Sequence, residues 1–234
     1  MRKFLKSALM GITISLIFVT PTFAATTNLS TYNPIKGDQV VTQGAGYKVI
    51  IPNGGKSATT KSTTTKSTGI MPMGLTGFTM GQGGSGTFSG STSQGYANGA
   101  LIDWSSIFVK DQHNLIGSDY MWAYGHQYVD YNGTVPWNAD SYTFAPSETV
   151  TSSAATVTGV SIPGGVSISA SYGSCTLNWL SQTINNNYKA DYYWNQWETS
   201  TPGHFNSVST NDQVTWRFGT TIIGQLNTVR VTLQ

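Results

Sequence analysis

From Tyr120 to Tyr128 the sequence alternates without a break between rings and smaller residues, Tyr-Met-Trp-Ala-Tyr-Gly-His-Gln-Tyr. Only an extended strand, whose side chains repeat every second residue, puts Tyr120, Trp122, Tyr124, His126 and Tyr128 on one surface; a helix scatters them around its axis. A lone strand cannot hold itself, so this stretch commits the chain to a sheet. Its ringed face is then either core or binding platform. One-sided alternation followed by Asn132-Gly133, a pair suited to a type I′ turn, reads as a central hairpin with the rings buried. The returning strand carries Val135 and Trp137, Pro136 favours an edge position, and Pro146 ends the unit after Asp140 to Phe144.

The same period recurs elsewhere. Gln39 to Thr42, Tyr47 to Ile51 and Leu101 to Val109 read as strands. Val157 to Ile162 and Val166 to Tyr172 read as a hairpin around Pro163-Gly164-Gly165, and Thr176 to Ile184 pairs with Tyr188 to Thr199 around Asn185-Asn186-Asn187. Val214/Trp216/Phe218 and Val229/Val231/Leu233 are the apolar faces of the last strands. No stretch has convincing helical periodicity, and only 9% of residues are charged. The expectation is an all-β protein, an antiparallel β-sandwich or jelly roll of roughly ten to twelve strands. Residues 25–55 supply an arm and the first strands, 56–99 a flexible Ser/Thr/Gly-rich segment, and 100–234 the main sandwich, in one domain with 25–55.

The compartment is read from residues 1–24. Arg2, Lys3 and Lys6 precede a short apolar run, Ser7 to Val19, and Ala24 offers a small-residue exit, the pattern of a secretory signal peptide. The run is shorter than the ~20 residues a membrane-spanning helix needs. Without this leader the formal net charge changes from +2 to about −1, and a secreted, extracellular chain is expected. The five lysines of residues 25–100 are spread too widely for a nucleic-acid footprint, and nucleic acid is not an expected partner. The uneven split, basic before Leu101 and acidic after it, suits orientation against a charged or membrane surface. Cys175 is the only cysteine, so no intramolecular disulfide forms; it reads as a small buried hydrophobe.

The many serines with His113, His126 and His204 include no Gly-x-Ser-x-Gly elbow, so a nucleophilic triad is not expected, and three other chemistries remain. Glu148 and Glu198 are the only glutamates, and a retaining glycoside hydrolase would need them about 5 Å apart. Asp111, His113, Asp119, His126 and Asp130 gather metal-ligand types in one stretch, but no zinc or EF-hand spacing is present; the reading calls for no cofactor and leaves room only for calcium on loop oxygens. Seven tryptophans and twelve tyrosines favour recognition through rings. Adjacent rings in Tyr192-Tyr193-Trp194-Asn195-Gln196-Trp197 must face both ways in a regular strand, which nominates Tyr193, Trp194 and Trp197 as exposed ligand-binding residues. The function expected is a non-enzymatic module that binds glycan or cell-surface components. Two rivals stand beside it. One is a β-pore-forming toxin inserting 56–99, and the other is a hydrolase using Glu198 and Glu148.

Overall fold

The computed structural model describes residues 38–52, 73–97, 99–133 and 139–234. Among them the chain forms fourteen strands and no helix: β1 (Gln39–Gln43), β2 (Tyr47–Ile51), β3 (Met73–Met80), β4 (Ser85–Tyr96), β5 (Gly99–Gln112), β6 (Asp119–Gly133), β7 (Ala139–Ser152), β8 (Thr158–Ser161), β9 (Val166–Ser171), β10 (Ser174–Trp179), β11 (Gln182–Asn187), β12 (Lys189–Thr201), β13 (Phe205–Phe218) and β14 (Thr221–Leu233). They make a sandwich of two seven-stranded sheets. Sheet A has the order β1-β2-β12-β6-β5-β4 with β8 beside β12, and sheet B the order β3-β14-β13-β7-β10-β9 with β11 beside β7. Among the described residues the strand pairings are antiparallel except that of β14 with β3. The expected leader, the Lys56 to Thr68 run and the expected Val135/Trp137 strand lie outside the described residues.

Several strands run longer than their local signals. β5 passes through Ser105-Ser106 without a break, and β7 continues through Pro146, where the sequence predicts an end. The reason is the neighbouring edge: β11 stops pairing at Phe144 and β10 begins at Ser147, so Pro146 faces a gap where no strand needs its missing N–H. Neither predicted late hairpin forms. β8 pairs with β12 in sheet A while β9 pairs with β10 in sheet B, and β11 pairs with β7 while β12 lies in the other sheet. In both cases the turn carries the chain across the sandwich instead of back along one sheet. The described part of 56–99 is likewise two edge strands, one in each sheet.

Rings fill the space between the sheets. Trp194, Trp197, Trp216, Tyr142, Tyr192 and Phe144 are all fully buried, and Tyr142 meets Trp216 at 4.9 Å between centroids. Val214, Trp216, Phe218, Val229, Val231 and Leu233 all point inward, as their alternation predicts. Cys175 is buried as a free thiol.

The interior also holds a polar seam that links the two sheets. Gln225 of β14 accepts from Trp216 Nε1 at 2.7 Å and donates to the Leu101 carbonyl of β5 at 3.0 Å. Asn227 donates to Gly90 O and to Ser105 Oγ, both at 2.9 Å. Three carboxyls sit in this seam, none of them exposed: Asp103, Glu148 and Asp212. Asp103 accepts from Gln127 Nε2 at 2.9 Å, Asp212 from Thr210 Oγ1 at 2.7 Å, and Glu148 from the Trp179 indole. Burial disfavours their charged forms, so all three titrate above the ordinary carboxylate range, Asp212 at about 7; for Asp103 and Glu148 the charge of Asp212 adds to the effect.

The sign of the resulting pH dependence follows. The unfolded chain releases these protons near ~3.9 while the native protein keeps them to much higher pH, so the native state binds more protons in between. Stability therefore falls as pH rises from about 4 through the folded values. Chemical denaturation of the wild type is expected to give a larger unfolding free energy at pH 5 than at pH 7.5, with a slope approaching ~1.4 kcal/mol per pH unit for each retained proton. Asp212→Asn should flatten that slope. Equal stability at both pH values would remove the neutral-carboxyl account of the core.

Candidate functional site

The alternating rings of β6 do share one face, but it is the outer face of sheet A. Met121, Ala123, Gln127 and Val129 fill the inner positions of β6 with no exposure, whereas Tyr120, Trp122, Tyr124, His126 and Tyr128 are each partly exposed. The expectation of a buried ring row is corrected, and packing supplies the reason. Trp194 of β12 lies inward directly opposite Gly125. A Cβ at Gly125 would come within 2.2 Å of the Ser106 carbonyl oxygen and 2.9 Å of Trp194 Cζ2. The inner side of β6 must be small, so its rings go outward.

The exposure expected at the Tyr192 to Trp197 run is corrected by a β-bulge. The pairing of β12 with β6 shifts between Trp194 and Trp197, so that Trp194 faces Gly125 and Trp197 faces Ala123. Both indoles therefore point inward, and both are fully buried. Tyr193 alone faces outward, opposite His126, with 8% exposure. Of Tyr193, Trp194 and Trp197, only Tyr193 belongs to an external face.

That face is built across three strands. His126 packs between Trp104 of β5, at 4.8 Å, and Tyr193 of β12, at 4.9 Å and 26° between planes. Phe108 stacks on Tyr124 at 4.8 Å, and Tyr120 lies parallel to Trp122 at 6.3 Å. Lys110 holds its ammonium 5.5 Å from the Trp122 ring, and Glu198 is the cross-strand neighbour of Trp122 on the other side. Beyond β5 comes a column of exposed hydroxyls on β4: Ser85, Thr87, Ser89, Ser91 and Ser93, placed opposite Lys110, Phe108, Ser106, Trp104 and Ile102.

Electrostatically the face is quiet at its centre. Burial lowers the His126 pKa to about 4, so the imidazole is neutral at physiological pH and serves as a flat polar ring. Charge is confined to the margins, where Asp130 accepts a hydrogen bond from Tyr128 and is pushed up by burial. Asp191, also raised by burial to about 7, lies beside it on β12.

The glutamates do not converge. Glu148 is sealed in the core, while Glu198 is partly exposed on the outer side of sheet A, so the sheet itself separates them and the paired-carboxylate geometry is absent. The ligand-type residues divide as well. His126 and Asp130 belong to the aromatic face, whereas Asp111, His113 and Asp119 gather with His204 at one end of the sandwich. His204 lies 85 positions from Asp119 in the sequence, and only tertiary folding brings it there. No protein-family model matches the sequence, and no curated protein matches it.

The small inner surface of β6 is directly testable. Gly125→Ala places a methyl group against a backbone carbonyl that cannot move independently of β5, and is expected to lower stability by about 1–3 kcal/mol by denaturant unfolding. An unchanged midpoint would mean that Trp194 does not occupy the space over Gly125.

Proposed function

We propose that the chain is a secreted, non-enzymatic module that binds glycan chains of a cell surface or wall across the outer face of β5, β6 and β12. The observation that carries this reading is the continuous set of ring contacts on an external sheet face, where an antiparallel sandwich ordinarily presents polar side chains. Sugar rings offer apolar C–H faces to flat aromatics and hydroxyls to neighbouring polar groups. Trp104, Trp122 and Tyr124 supply the first, and the Ser/Thr column of β4 with Glu198 and Asp130 supplies the second. From Tyr120 to Tyr128 the row extends about 27 Å by strand rise, which suits an extended chain rather than a single sugar.

The test is retention on insoluble polysaccharides and cell-wall preparations, followed by affinity measurement on soluble fragments. Trp104→Ala and Trp122→Ala are each expected to weaken binding by about tenfold, the loss typical of truncating a ring anchor. Tyr172→Ala, at a site 86% exposed on the far sheet's edge region, leaves it unchanged. Full retention by the folded double variant Trp104→Ala/Trp122→Ala would overturn the reading.

The pore-forming reading keeps one specific support. β3 and β4 are consecutive edge strands of different sheets joined by the short turn at 81–84, so they can leave the sandwich without breaking its centre. Met73 and Leu75 on β3 are 75% and 73% exposed. Dye release from liposomes that stops on cross-linking β4 to β5 is the outcome this reading requires; intact liposomes across lipid compositions would end it.

A further inference from the structure

At the end of the sandwich where β5 turns into β6, three side chains from distant parts of the sequence meet. His113 lies just after β5, Asp119 opens β6, and His204 sits on the turn that carries β12 of sheet A into β13 of sheet B. His113 Nδ1 is 3.0 Å and His204 Nδ1 3.1 Å from the same oxygen, Asp119 Oδ2. The ligand atoms of all three lie within 4.8 Å of one another. In a tetrahedral site with bonds of about 2.0–2.1 Å, neighbouring ligand atoms stand about 3.3 Å apart, so the two N···O separations need to open only slightly to admit an ion.

The supports of these side chains are also in place. The other carboxylate oxygen, Asp119 Oδ1, accepts the Asn114 N–H at 2.7 Å, and Asn114 is itself tied to the Ser118 carbonyl. His204 is fixed through its backbone, its N–H donating to Ser153 Oγ at 2.9 Å and its carbonyl accepting the Ser153 N–H at 2.8 Å. Its side chain remains half exposed, which leaves an approach open to solvent.

An independent observation comes from Asp111. It is 2% exposed on the inner side of β5, its Oδ2 accepts the Gly83 N–H at 2.7 Å, and its Oδ1 is buried with no hydrogen-bond partner. Its carboxyl lies in electrostatic range of Asp119, His113 and His204 together. One buried carboxyl oxygen thus stands unused beside the two imidazoles and the Asp119 carboxyl.

We propose that His113, Asp119 and His204 form a binding site for a divalent cation of the zinc class, with Asp111 as a supporting carboxylate beside it. Two imidazole nitrogens and one carboxylate oxygen suit zinc and its late first-row neighbours; calcium takes six to eight oxygens and is not served by this donor set. The fourth position falls to water. Because the ligands come from the β5–β6 loop and from the turn between the sheets, the ion pins sheet A to sheet B at this end. It also fixes both ends of the loop that projects Leu115 and Ile116, 93% and 95% exposed.

The experiment is a zinc titration of the chelator-stripped chain against a chromophoric competitor, repeated with cobalt to read the ligand field by absorption. One ion per chain is expected, with cobalt giving the intense visible bands of a tetrahedral site and zinc raising the melting temperature. His204→Ala, on an exposed turn that should fold normally, is expected to weaken binding at least tenfold and abolish the thermal shift, and His113→Ala to do the same. Cys175→Ala, which removes the only thiol, leaves binding unchanged. Absence of saturable zinc binding, undiminished binding in a folded His204→Ala/His113→Ala variant, or selective binding of calcium would each overturn the site.

Discussion

The volume available between the two sheets is the constraint from which the rest of this molecule follows. Three indoles, Trp194, Trp197 and Trp216, occupy it together with Tyr142, Tyr192 and Phe144, all of them fully enclosed. A close-packed interior cannot take a second layer of large rings over the same area. β6 runs beside β12, the strand that delivers two of the indoles, so its inward positions shrink to Ala123 and Gly125 at the points of contact. Its own rings then have one place to go. The aromatic outer face and the indole-filled core are thus two consequences of one packing limit.

The polar seam explains how such an interior keeps the two sheets in fixed relation. Apolar packing alone specifies spacing but tolerates sliding, whereas Gln225 reaching Leu101 and Asn227 reaching Ser105 select one offset of β14 over β5 and β4. Burial disfavours the charged form of Asp212, which lets its carboxyl sit in this dry interior while accepting from Thr210. The outer rings of β5 and β6 are held by backbones that cannot shift independently, so the proposed glycan surface is organised before any ligand arrives.

Strand positions were largely legible in the sequence because period-2 alternation is a local property; Tyr47 to Ile51 and Tyr120 to Tyr131 lie where their patterns put them. Pairing was not. Pro163-Gly164-Gly165 and Asn185-Asn186-Asn187 announce a reversal of direction, but the same turn chemistry serves a hairpin and a crossing between sheets, and which one forms depends on edges completed elsewhere. The inner face of β6 was hidden for a related reason. Ranked by hydrophobicity alone, a row of Tyr and Trp outweighs one of Met, Ala, Gly, Gln and Val, and only Trp194 and Trp197, brought in by a bulge on β12, reverse that preference. The cluster at the sandwich end was half legible: His113 and Asp119 are six positions apart, but His204 is separated from Asp119 by 85.

These distant features converge on one strand. Asp119 and Tyr120 are consecutive at the start of β6, so the first ring of the outer row and the carboxylate of the proposed cation site occupy opposite faces of the same backbone. On β12 their partners, Thr201 and Ser200, are consecutive as well, one and two residues before the segment leading to His204 begins. Strand ends fray most easily, and ladder bonds near a terminus are ordinarily the first to open. A cation bridging His113, Asp119 and His204 would close that end and hold Tyr120 and Trp122 in register with β12, while leaving the chemistry of the outer face untouched. The two proposals are therefore physically linked through the backbone yet separable in experiment, since one face can be stripped of its rings and the other of its imidazoles without either change reaching across the sheet.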